Sequence, residues 1–487
     1  MNVRKVFKTL GKLLQVLGVL LVLPLIVSLI YKEFNMILAF VIPMSISLLV
    51  GTLFTLINPK NERMYAKEGC AVVALSWIFM SLIGCLPFII GNKIPNFFNA
   101  FFETVSGFTT TGSSIVTDID TWYEGAKGLL FWRSFTHWVG GMGILVFVLA
   151  ILPSSDGQNI FLIKAESTGA KVGKLVSKVK VTARILYIIY FALTIIEMLL
   201  LAFDMPIFDA VVHAIGTAGT GGFGIRAESL GYYSSYCQIV VAVFMMLFGI
   251  NFNIFYLLLI GKLKDVFKNE ELRWYFIIII LSTGIICADL AINVAQTYQS
   301  IGHALKDSYF QVTSIISTSG FATADFSGWP MLSKTVLFIL MFIGGCAGST
   351  AGGLKVQRIV ILFKAGKREA KKLVHQKSVQ NIKFEGKTLE DNVAKGVTSY
   401  FAIVMIWFAA CMVLISFDNF DFETTLTSVT TCINNIGPGL SKLVGPTGSF
   451  AEYSGFSKII LSFTMLFGRL EVYPILLLFN PKIWTNK

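Results

Sequence analysis

The sequence has 487 residues, 55% hydrophobic and 14% charged, with mean hydropathy +0.73 and a formal net charge of +12. Soluble domains carry about 25% charged residues, so this composition excludes a soluble multidomain enzyme and points to a chain that crosses a membrane many times. The seven cysteines (Cys70, Cys85, Cys237, Cys287, Cys346, Cys411, Cys432) lie mostly in apolar runs without a C-x-x-C pair. The four histidines (His137, His213, His303, His375) lack metal-ligand spacing, so buried thiols are favoured over disulfides and a metalloenzyme has little support.

Arg4, Lys5, Lys8 and Lys12 precede an apolar run of about twenty residues, too long for a signal-peptide core and without a small-residue cleavage site after it. It reads as a retained membrane helix. Apolar segments recur at 13–31, 36–57, 70–91, 126–152, 181–203, 235–261, 274–296, 332–363, 394–416 and 456–479. Each approaches or exceeds the ~20 residues a helix needs to cross the hydrocarbon core. The N-terminal arm, the connections 59–69, 154–184, 262–273 and 355–396, and the last eight residues hold 30 of the 40 Lys and Arg but 11 of the 28 Asp and Glu. That is a net +19 on one side against −7 elsewhere, an orientation signal that places both termini in the cytoplasm and needs no nucleic acid to explain it.

On the opposite side, four stretches combine a short semi-polar run with a glycine-rich turn: Asn96–Ser114, Pro206–Gly224, His303–Ala322 and Asp421–Leu440. Such runs are too short to span a bilayer and suit re-entrant half-helices. The unit span, half-helix, turn, span occurs four times, dividing the chain into a hairpin at 1–58 and repeats at 59–163, 164–262, 263–372 and 373–487.

The turns read FTTTGSS (Phe108–Ser114), GTGGFG (Gly219–Gly224), STSGFA (Ser317–Ala322) and NNIGPG (Asn434–Gly439). Each carries small, hydroxyl or amide residues and then a glycine: Gly112, Gly222, Gly320 and Gly437, with Gly221 competing for the second place. A partly dehydrated cation needs oxygens converging from several sides, which four backbone segments around an axis can supply as carbonyls. Glycine permits the left-handed backbone that turns successive carbonyls one way. Two other readings compete. The glycines can be ordinary helix C-caps, although four in matched positions argue against it. GTGGFG also matches the G-x-G-x-x-G of a dinucleotide loop, but IRAESLGYY follows without an immediate helix and the turn lies on the non-cytoplasmic side.

Gly344–Gly353, GGCAGSTAGG, interrupts the span 332–363, where each glycine weakens a helix by about 1 kcal/mol relative to alanine. The span should break there, unless the glycines serve a close helix crossing. Arg469 lies deep in the last span, where a charge is expensive and usually functional or paired. Glu471 is a possible local partner, though residues two apart do not share a helix face. Arg133 and Glu197 also fall in spans and carry no assigned transport role. The loop 355–396, with eleven bases against four acids, reads either as topology plus contact with anionic lipid or as a docking site for a cytosolic partner. Asp118, Asp120 and Glu124 read as a cation-attracting vestibule or a solvated loop.

The turns, the fourfold unit, the segment WRSFTHWVGGMGILV (Trp132–Val146) and INNIGPGL in the fourth turn resemble the Trk/Ktr/HKT superfamily of cation transporters, and within it the bacterial Trk-type potassium-uptake branch. The resemblance covers essentially the whole chain. It implies an all-α polytopic membrane protein with four M1–P–M2 repeats around a pseudo-fourfold pore, an N-terminal hairpin, ten transmembrane helices and four re-entrant pore helices. K+ is then the transported ion, crossing a bacterial cytoplasmic (inner) membrane without covalent chemistry. The implied filter comprises Thr109, Thr110, Thr111, Gly112 and Ser113; Thr220, Gly221, Gly222 and Phe223; Thr318, Ser319, Gly320 and Phe321; and Asn434, Asn435, Ile436, Gly437 and Pro438. Gly112, where sodium-favouring relatives often carry serine, favours potassium. The implied gate is the loop with Gly344, Gly345, Gly348, Ser349, Thr350, Gly352 and Gly353, contacted by Arg469. The implied partners are a second copy in a homodimer, membrane lipid and a cytosolic nucleotide-binding regulatory subunit of the TrkA type, which would hold the nucleotide that this chain does not. The alternatives are sodium or mixed sodium/potassium transport and a polytopic membrane enzyme.

Overall fold

Long runs of Leu, Ile, Val and Phe satisfy their backbone internally as helices, and helices dominate the computed structural model, which describes residues 1–59, 64–143, 179–298, 300–375 and 381–484. Among them, six helical stretches are long and apolar enough to cross a membrane: Val3–Ile30, Phe34–Thr55, Ala66–Ile90, Val181–Leu201, Glu270–Asn293 and Asp391–Asp418. The pair Ser235–Phe248 and Phe252–Leu259 makes a seventh if counted as one span, although it bends by 93°. These helices leave Leu49, Leu53, Ile280, Leu281, Ile292, Ile406 and Val413 exposed, an outward apolar surface suited to lipid.

The first two of these stretches, Val3–Ile30 and Phe34–Thr55, pack against each other. Gly11 and Gly51 face each other across the contact, and a Cβ on either would come within 2.8 Å of the other's carbonyl oxygen. In the connection between the two, the Glu33 carboxylate accepts from the backbone N–H of Lys127 (2.5 Å) and Gly128 (3.0 Å), capping the helix Lys127–Gly141.

Among the described residues, several of the expected spans are broken. The segment 235–261 bends between Phe248 and Phe252. The segment 332–363 splits, as its glycines predict, into Met331–Ile343 and Val356–Val374. The last segment stops at Arg469 and resumes at Tyr473, so Arg469 ends a helix instead of lying inside one. The segment 126–152 is helical over Lys127–Gly141, its remainder and most of the 154–184 connection lying outside the described residues. The first two breaks meet each other, and their freed backbone groups pair: Gly249 O accepts from Cys346 N (2.9 Å), and Phe252 N donates to Gly348 O (3.1 Å).

Four shorter helices, Phe97–Phe108, Ile207–Gly219, Ile301–Ile316 and Phe422–Asn434, occupy the interior. Asn96, Ser300 and Asp421 cap three of them from the side chain. Their buried hydroxyls donate back along the helix, Thr104 to Ala100 O, Thr217 to His213 O, Ser308 to Ala304 O and Thr430 to Leu426 O, so few polar groups are left open where water is scarce.

Candidate ion filter and gating loop

The four short helices end alike. In each, a residue one or two positions past the helix turns left-handed: Thr110 (φ 56°), Thr220 (φ 55°), Thr318 (φ 56°) and Asn435 (φ 54°). The next amide then reaches back five residues, Thr111 to Ser106 O, Gly221 to Gly216 O, Ser319 to Ser314 O and Ile436 to Thr431 O, at 2.9–3.1 Å. This is a Schellman-type closure, so the C-cap reading is correct about the helix ends. It does not account for the glycines, which come two residues later with a second positive φ: Gly112 (80°), Gly222 (71°), Gly320 (82°) and Gly437 (110°). Three of the left-handed caps are β-branched threonines, a conformation that costs of order 1–3 kcal/mol and survives only where the surroundings enforce it.

The turns close into a ring. A Cβ added to Gly112 would fall on Gly221 O; on Gly222, on Ser319 O; on Gly320, on Ile436 O; and on Gly437, 2.9 Å from Thr111 O. Each glycine thus packs against the carbonyl of the residue preceding the glycine of another turn, and four such contacts return to the start. Gly222, not Gly221, holds the repeated position; Gly221 instead packs on the His137 ring. A cleft lined in common by all four glycines opens toward the loops after the turns, past Ser113, Phe223 and Pro438.

Side chains tie the turns together. Ser113 Oγ donates to Gly437 O (2.9 Å), and Asn435 Nδ2 donates to Thr111 Oγ1 and Met465 O (both 2.9 Å). Thr109 and Thr111 share a hydroxyl contact at 2.8 Å, as do Ser317 and Ser319 at 2.9 Å. Phe321 O accepts from Ser314 Oγ, and Asn434 Nδ2 donates to Thr430 O. His137 Nδ1 lies 2.7 Å from Gly107 O, and its ring is 4.2 Å from that of Phe223.

Beneath the ring, the loop expected to break the third repeat carries positive φ at Gly344 (71°), Gly348 (76°) and Gly353 (73°). Gly345 O accepts from Val356 N, and Ser349 Oγ donates to Cys346 O. Three consecutive residues are gripped. Thr350 O accepts from Arg469 (2.8 Å), Ala351 O accepts from the Lys355 ammonium, and Gly352 N donates to Thr318 Oγ1 (2.6 Å), one of the left-handed threonines. The Arg469 fork also reaches Gly140 O (2.6 Å) and Gly141 O (2.7 Å), whose helix ends there with its carbonyls free to accept. Glu471 bonds to Arg358 at 2.5 Å.

The bond from Thr318 links loop and ring directly. Thr318→Val is expected to raise unstimulated cation influx several-fold, because it leaves the buried Gly352 amide unpaired at about 1–3 kcal/mol, while Thr318→Ser keeps the parent rate. Tracer uptake by the two variants is the check.

Several participants were not legible along the chain. Lys355 and Arg358, counted with the lipid-facing bases of 355–396, are buried at 1% and 9% exposure and turn inward. Arg133 signalled itself only as a charge in an apolar run; its partner Glu103, 2.6 Å away, lies 30 residues earlier. Glu197 is fully buried in the span Val181–Leu201. The acids Asp118 and Asp120 lie at an exposed corner, where Asp120 is 3.6 Å from Arg226.

Known proteins match this arrangement over its full length. The family model for TrkH, described as a cation transport protein, matches residues 35–486. The Trk system potassium uptake protein TrkH of Salmonella typhimurium is 36% identical over 493 residues, covering all of both chains, and TrkG of Escherichia coli is 31% identical, covering all of this chain and 99% of its own. The crystal structure of the potassium transporter TrkH from Vibrio parahaemolyticus superposes with a TM-score of 0.87 at 32% identity, again over the whole of both chains. The chain belongs to the TrkH family of cation transport proteins.

Proposed function

We propose that this chain carries potassium into the cell through a channel-like pore in the bacterial inner membrane, as a transporter and not as an enzyme. The observation that carries the reading is the closed ring of four turns, each with a positive-φ glycine against another turn's carbonyl. In this reading Thr109–Ser113, Thr220–Phe223, Thr318–Phe321 and Asn434–Pro438 form the filter, and the chain divides into the hairpin and four repeats set out above. Carbonyl oxygens replace the hydration shell of the ion. The four half-helices bring their partially negative C-terminal ends to the ring, which favours a cation there. The loop Gly344–Gly353 closes the path below, and the half-buried Arg469 and the buried Lys355 hold it closed and oppose the passage of a cation. Both termini face the cytoplasm. The names of the relatives speak of a Trk system, which supports further components: a second copy of this chain, and a nucleotide-binding regulatory subunit that opens the gate.

Gly112 in the first turn supports potassium over sodium. The test is tracer uptake in cells lacking their own potassium-uptake systems. Rb+ entering in preference to Na+ is the expected result. Preferential Na+ entry would make this a sodium transporter, and no flux of either ion under any condition would overturn the pore.

A further inference from the structure

Selection between two monovalent cations depends on a ring of oxygens keeping its size, so whatever holds one turn at a set distance from the next shares in the selectivity. The junction of the first and second turns is held unlike the others. Glu103, on the helix Phe97–Phe108, and Arg133, on the helix Lys127–Gly141, form an ion pair of 2.6 Å whose side chains are 0% and 5% exposed. The pair spans both turns. Glu103 accepts from Ser114 Oγ (3.0 Å) and Ile115 N (2.9 Å), the last residue of the first turn and the one after it. Arg133 donates to Ser114 Oγ (2.9 Å) and to Gly224 O (2.9 Å), the last residue of the second turn, and its guanidinium lies 3.6 Å from the centre of the Phe223 ring. Three of its nitrogens therefore hold three groups: Glu103 and Ser114 beside the first turn, 30 and 19 residues from Arg133, and Gly224 at the second turn, 91 residues away.

Among the described residues, the equivalent positions of the other repeats carry no such brace. Glu103 lies nine residues before Gly112, and the positions nine residues before Gly222, Gly320 and Gly437 are His213, Gln311 and Ser428. His213 Nδ1 lies 2.8 Å from Asp209 O, Gln311 bonds weakly to Ala324 O (3.4 Å), and Ser428 donates to Thr425 O. These are contacts near the residue's own helix, whereas Glu103 joins two turns through a charge. A buried ion pair is not needed for stability, since an apolar pair of similar volume often serves as well, so its presence here asks for another use.

We propose that Glu103 and Arg133 are positioning residues that set potassium-over-sodium selectivity by locking the first filter turn to the second. The proposal rests on the filter reading above. Its test uses the purified full-length chain in liposomes, comparing Rb+ and Na+ uptake, with thermal unfolding measured alongside. Arg133→Lys keeps the charge but cannot fork to Glu103, Ser114 and Gly224 together. Glu103→Gln with Arg133→Met removes both charges at similar volume. In either variant the Rb+/Na+ ratio is expected to fall about fivefold or more while Rb+ still enters. A parent-like ratio in either variant that unfolds at the parent temperature overturns the proposal, and Arg133→Lys alone decides it if the double variant does not fold. Gly112→Ser in the same preparation separates the two readings. If it loses selectivity and the brace variants do not, the brace fails alone; if it too keeps the parent ratio, the filter assignment fails.

Discussion

Replacing Gly112 by serine is expected to lower the preference for potassium over sodium by about tenfold or more. The reason is local and steric. Gly112 has φ 80°, a region that L side chains rarely adopt, and an added Cβ would fall on Gly221 O, with Ser319 O only 3.6 Å away. The Gly221 carbonyl would have to move, with Ser319 O already in contact on the other side, and in the proposed filter a ring that changes size changes which ion it replaces water for. The side chain cannot swing clear, because a Cβ has no rotamer. Competitive Rb+ and Na+ uptake measures the effect. Gly125→Ser is the control, since a Cβ there meets nothing within 4 Å and should leave the ratio at the parent value. An unchanged ratio in Gly112→Ser would sink the filter assignment.

Arg469→Ala is expected to raise unstimulated influx by about tenfold, because one guanidinium holds Thr350 O in the loop and Gly140 O and Gly141 O in the facing helix. Each such charge-assisted bond contributes about 1.5–3 kcal/mol, so the loop loses its anchor and the path loses a fixed positive charge together. Arg469→Lys should fall between parent and alanine, keeping the charge and losing the fork. Uptake at or below the parent rate in Arg469→Ala, in protein that unfolds at the parent temperature, would remove its role as a barrier.

Much of the site was readable along the chain, for physical reasons that can be stated. The half-helices announced themselves as apolar runs too short to span a bilayer, and the turns as glycines recurring in matched positions. The break in 332–363 followed from glycine's weak helix propensity. Other features had no local signal. Threonine disfavours the left-handed region, so Thr110, Thr220 and Thr318 gave no hint of it; packing enforces it. The bend at Phe248–Phe252 exists because the loop Gly344–Gly353 docks there, through Cys346 N on Gly249 O. Arg469 was conspicuous as a charge, yet its partner Thr350 lies 119 residues away, and the nearby Glu471 bonds to Arg358, 113 residues away.

The choice between Gly221 and Gly222 marks the boundary well. Two adjacent glycines are indistinguishable by composition or period, and GTGGFG alone even matches a phosphate-binding loop. Once the four turns meet, Gly222 takes the positive φ and packs on Ser319 O, while Gly221 packs on His137. The amino-acid sequence by itself determined the membrane class, the four half-helices and the glycine-rich turns that follow them, because run length, period and backbone permissiveness are properties of neighbouring residues. Only the tertiary structure decided which carbonyl each glycine faces and which charge grips which loop, because those contacts join segments that are distant in the chain and are set by packing around a shared centre.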